Sequence, residues 1–118
     1  MEDISINFET RVSSYLNFLI SVKETRTYSE IADKCDIKPP GKIRKISRIL
    51  LKITENDIID KKPIRSAVIV SKINKMNGSS IPHEDFFLFL SKYKIYNGEK
   101  NINSYTQFHK KLIRELFS

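Results

Sequence analysis

Few residues of this 118-residue chain have types and spacing suited to covalent chemistry. The two histidines are His83, followed directly by Glu84 and Asp85, and His109. Two imidazoles, or an imidazole beside a carboxylate, suit general acid–base cleavage by a small metal-independent nuclease. Pro82-His83-Glu84-Asp85 reads more strongly as the acidic opening turn of a helix, which the macrodipole favours. The single cysteine, Cys35, shares no ligand-type spacing with either histidine, so no metal site is expected. With only three glycines there is no phosphate-cradling loop and no Gly-x-Ser-x-Gly turn. These residues predict a non-catalytic protein without metal or cofactor.

The cations are arranged more suggestively. The chain has 21 Lys and Arg against 14 Asp and Glu, a net charge of +7. Between Lys38 and Lys75 there are 11 basic and 3 acidic residues, so the whole excess lies in one central stretch. Ile, Lys and Asn are abundant throughout, and it is the clustering of the charge, more than its total, that carries information. Arg44, Arg48 and Lys52 recur at i, i+4 and i+8, with Lys45 beside them and Lys42 at the edge of the same face. A localised basic face on a small domain is the electrostatic footprint of a nucleic-acid binder.

The elements that must position these side chains follow from periodicity. Phe8, Val12, Tyr15, Leu16, Leu19 and Ile20 share one face of a helix over 7–23. Thr27-Tyr28-Ser29-Glu30 has capping-box spacing and opens a short helix whose apolar side is Tyr28, Ile31, Ala32 and Cys35. Lys38-Pro39-Pro40-Gly41 ends it. A basic helix then spans 42–54, with Ile43, Ile46, Ile49, Leu50 and Ile53 as its apolar side, and 55–62 reads as a polar loop, or a loop with a helical turn around Ile58-Ile59. The β-branched run within 64–72 predicts a strand, and Asn77-Gly78 predicts a turn. The run from Phe86 to Leu90 is apolar throughout and is expected to be fully buried, as a helix with Pro82 in its first turn or as a core strand. Ser104 and Gln107 suggest a cap for a last helix over 105–117.

Length and composition indicate one domain, 1–118, with a core of its own. No apolar run reaches the roughly 18–20 residues that span a bilayer. The acidic start, Met1-Glu2-Asp3, lacks the positive region of a secretory signal. A lone cysteine fits a reducing, cytoplasmic location.

Helix, short helix, turn, basic helix, strand and wing is the order of an α+β winged helix-turn-helix, here with flanking N-terminal and C-terminal helices. In that fold the third helix enters the major groove and the wing, here about 72–80, touches phosphate or the minor groove. Lys72 and Lys75 would sit on that wing.

Thr27-Tyr28-Ser29-Glu30-Ile31-Ala32 resembles the Thr-Tyr-Gly-Glu-Ile-Ala segment of the O6-alkylguanine-DNA alkyltransferases and alkyltransferase-like proteins. Arg44-Lys45-Ile46-Ser47-Arg48-Ile49-Leu50 is similar to that family's Arg-Ala-Val-Gly-x-Ala-Leu helix. The resemblance implies a winged helix gripping the minor groove, with Tyr28 near the phosphate of an extruded nucleotide and Arg44 filling the vacated place in the stack. The family's Pro-Cys-His-Arg has its nearest counterpart in Pro63-Ile64-Arg65-Ser66, which lacks both the nucleophile and the activating histidine, so alkyl transfer is not expected. The expected partner is duplex DNA, bound through Tyr28, Lys42, Arg44, Lys45, Arg48, Lys52, Lys72 and Lys75, with no membrane. A protein-interaction module or homodimer on the same scaffold is the second reading, with its surface near Tyr93, Ile95, Tyr96 or Phe117.

Overall fold

The computed structural model describes residues 4–71 and 81–118. In chain order these form α1 (Ile4–Val22), β1 (Arg26–Thr27), α2 (Tyr28–Lys34) and α3 (Lys42–Ile59). A 3-10 turn (Arg65–Val68), β2 (Ile69–Val70), α4 (Glu84–Lys92) and α5 (Ile102–Phe117) follow. The arrangement is α+β, rich in helix, with one small parallel sheet among the described residues. Arg26 lies opposite Ile69 and Thr27 opposite Val70. Parallel strands need a crossover connection, and here α2 and α3 supply it. The basic helix thereby lies within the connection between the two strands.

Local chemistry sets the helix boundaries. Thr27 accepts from the Glu30 N–H at 3.2 Å, and the Glu30 carboxylate accepts from the Thr27 N–H at 2.9 Å, completing the expected capping box. α3 starts on Gly41, which sits at φ +70° and makes no side-chain cap. The left-handed conformation there suits glycine. α1, α2, α3 and α4 each end on a left-handed residue that is not glycine, namely Lys23, Asp36, Lys61 and Lys94. Each is closed by a paired bond back into its helix, as in Lys61 N–H to Ile58 O at 3.1 Å and Lys62 N–H to Asp57 O at 2.8 Å. This is the Schellman pattern.

The core has two parts. Val12, Leu16 and Leu19 of α1 meet Ile31 and Cys35 of the α2 segment, and Ile46, Leu50 and Ile53 of α3. Phe86, Phe87 and Leu90 of α4 meet Tyr96, Tyr105 and Leu112, with Phe87 stacked on Tyr105 at 4.3 Å. Ile113 and Leu116 of α5 pack against both parts.

Several expectations are corrected. α3 does not stop near residue 54; it runs to Ile59, because Asp57 turns inward to a partner. The strand expected over 64–72 is confined to Ile69–Val70, and Arg65–Val68 coils into the 3-10 turn. The Asp57 carboxylate accepts the Arg65 N–H at 3.2 Å and curls the chain there. The segment 86–90 is helical, but Leu88 is 38 % exposed, so the run is not buried throughout. His83 caps α4, which leaves Pro82 before the first turn. Asn101, not Ser104, caps α5, accepting the Ser104 N–H at 2.9 Å.

Candidate nucleic-acid interface

α3 buries Ile46, Leu50, Ile53, Thr54 and Asp57 and turns Arg44, Lys45, Arg48 and Lys52 outward. Burial of the apolar face fixes the helix, so the cations are presented from a rigid element. Their pairing separates them. Lys42 Nζ lies 2.5 Å from Asp33 and is half-buried against it. Lys45 Nζ donates to the Lys38 carbonyl at 3.0 Å. Lys52 Nζ lies 3.6 Å from Glu55 in a loose i,i+3 pair that costs little to break. Arg44 and Arg48, one turn apart, have no hydrogen-bond or ion-pair partner among the described residues. Two exposed guanidiniums with all donors unspent can donate bidentate bonds to phosphates or base edges. The uncapped start of α3 adds partial positive charge at the same end.

Ile43 corrects another expectation. The wheel puts it on the apolar side, yet it is 47 % exposed, because the first turn of α3 projects beyond the core.

Tyr28 opens α2 and leans on the start of α4. Its hydroxyl oxygen accepts the His83 N–H at 3.1 Å, and its own O–H has no acceptor among the described residues. Burial pushes the phenol up to about 12, so it remains a neutral donor. Tyr28, Ser47, Thr54, Ser66, His83 and Phe86 line a cavity of about 40 Å³, room for about one ordered water. Ser47 and Leu51 of its wall follow Arg44 and Arg48 by three positions on the helix.

Arg65, part of the basic stretch, is spent inside the fold. Its guanidinium grips Asp57 at 3.0 Å and reaches Ser13 at 2.6 Å and Asn17 at 3.2 Å. Nothing local in the sequence marks this, since the partners lie on α1 and at the far end of α3.

The histidines are not brought together. His109 is buried and its Nε2–H donates to the Ala67 carbonyl at 2.7 Å, whereas His83 is exposed and its Nδ1 caps α4 by accepting the Asp85 N–H at 3.3 Å. Among the described residues no cluster of His, Cys, Asp or Glu could hold a metal ion. Cys35 is buried, and burial pushes its thiol up. Tyr96 is buried, and Tyr93 is half-buried with its hydroxyl on Glu55 at 2.8 Å. Ile95 is exposed and Phe117 packs against the first core cluster, so these four residues do not form one open apolar patch.

The expected wing, with Lys72, Lys75 and the Asn77-Gly78 turn, lies outside the described residues. The flanking chain is closed by a bond from the Ser71 N–H to the Ile81 carbonyl at 2.8 Å. No helix among the described residues is long and apolar enough to cross a membrane. Set against protein-family models, curated proteins and solved structures, the chain matches none.

Proposed function

We propose that this chain binds duplex DNA without catalysis, as a winged helix-turn-helix whose α3 is the groove-contacting helix. The observation that carries the reading is the pair Arg44 and Arg48. They are exposed, one turn apart, on a helix locked by Ile46, Leu50 and Ile53, and no internal partner occupies them. Arg11, Arg26 and Arg65 have internal partners; Arg44 and Arg48 have none among the described residues.

Three further observations support it. α1, α2, α3 and β2 follow one another in the helix, short helix, basic helix and strand order of the proposed motif. Ser71 and Ile81, which bracket the proposed wing in sequence, are hydrogen-bonded to each other. Tyr28 keeps an unspent O–H, suited to a phosphate oxygen, in keeping with the alkyltransferase-like resemblance. Lys45 and Lys52 add phosphate contacts, and Lys42 adds one once it leaves Asp33. A cytoplasmic setting accords with the free, buried Cys35.

The second reading, a protein-interaction module or homodimer, is favoured by Phe18 and Val22, which lie one turn apart on α1 and are 51 % and 43 % exposed. Electrophoretic shifts with duplex DNA, single-stranded DNA and RNA at two salt concentrations separate the readings. The account expects duplex binding that weakens steeply with salt. Salt-insensitive association, or none, favours the protein partner.

A further inference from the structure

Two apolar side chains of the proposed binding helix are exposed, Ile59 at its end and Ile43 at its start, and it is Ile43 that stands among the cations. Scattered apolar residues on a surface need no explanation, but Ile43 is not placed at random. It shares an open concavity at the start of α3 with Pro40, Lys42, Arg44, Lys45 and Arg48. An apolar side chain standing among cations can meet a nucleic-acid groove, whose anionic phosphate walls flank a floor of sugar and base edges. Ile43 is also stiff, because a β-branched side chain on a helix has one strongly preferred rotamer, so little order is lost when it is covered.

We propose that Ile43 is a salt-independent groove contact: it packs on the deoxyribose and base edges of bound duplex DNA while Arg44 and Arg48 take the phosphates. The inference rests on the nucleic-acid reading and assigns the part of the affinity that charge does not supply.

The test is a salt titration of duplex affinity for the wild type, Ile43→Ala, Ile43→Val and Arg48→Ala. Removing an apolar contact of this size should weaken binding about 5-fold at both low and high salt, leaving the slope of log affinity against log salt unchanged. Ile43→Val should stay within about 2-fold of wild type. Arg48→Ala should instead flatten the slope by about 0.9. Since Ile43 is half exposed, an unchanged far-ultraviolet circular dichroism spectrum will show that the Ala variant is folded. Wild-type affinity in Ile43→Ala overturns the assignment, as does a loss that comes with a flattened slope. If the wild-type chain binds no duplex, the nucleic-acid reading falls first, and that failure is visible before any variant is measured.

Discussion

The Tyr28 hydroxyl accepts the backbone N–H of His83 at 3.1 Å, joining the first residue of α2 to the cap of α4 across 55 residues of chain. The bond ties the second core cluster to the motif that carries the cations. It uses the oxygen of Tyr28 and leaves the proton free. Tyr28→Phe should therefore cost little stability, about 1 kcal/mol or less, the net worth of one neutral hydrogen bond. It should weaken duplex binding by several-fold through loss of the phosphate donor. Thermal unfolding and a binding isotherm on the same variant read the two effects separately.

The Asp57–Arg65 pair should dominate stability among the polar contacts. Asp57 is almost fully buried, with Arg65 partly exposed over it. Arg65→Leu strands a buried carboxylate and should cost about 3 kcal/mol. Replacing both residues by leucine should cost less than that single change, since no charge is left unpaired. Urea unfolding of the two variants provides the comparison.

This pair also shows where sequence reading stopped. The α2 cap was legible because Thr27 and Glu30 bond within four residues of each other. The α1 and α3 core faces were legible from their periodicity. The end of α3 was not, since Glu55, Asn56 and Asp57 look like a polar loop until their partners are known. Those partners are Tyr93, Glu9 and Arg65, all remote or beyond the helix. The shortened strand has the same cause: β propensity at 64–68 yields to Asp57 at Arg65, Thr54 at Ser66 and His109 at Ala67. For the proposed site, spacing alone placed Arg44 and Arg48 on one outward face. It did not reveal that Lys42 and Lys45 have internal partners or that Ile43 stands clear of the core.

The helix ends offer a gain. Lys23, Asp36, Lys61 and Lys94 hold left-handed conformations that a β-carbon disfavours. Lys61→Gly should stabilise the fold by about 0.5–1 kcal/mol, despite the greater freedom glycine gives the unfolded chain. Lys61 lies outside the proposed interface, so duplex affinity should follow only the small loss of one distant charge. Differential scanning calorimetry checks the first effect.

Burial holds the His109 imidazole below its ordinary value of 6.5. As pH falls, the unfolded chain therefore takes up this proton before the folded one does. The stabilising contribution is complete above about pH 6.5 and is lost progressively below it. His109→Gln keeps an N–H donor for the Ala67 carbonyl and removes the titration. The variant should lose less stability than wild type between pH 7 and mildly acidic conditions, as followed by denaturant midpoints.

The central claim is that Arg44 and Arg48 are unspent in the fold because they are used on nucleic acid. The most direct measurement is duplex-DNA affinity of the Arg44→Ala/Arg48→Ala protein as a function of salt. The account predicts greatly weakened binding at low salt and a log–log slope flatter than wild type by about 1.8, two phosphate contacts at about 0.9 each. Binding equal to wild type across the salt range would contradict it.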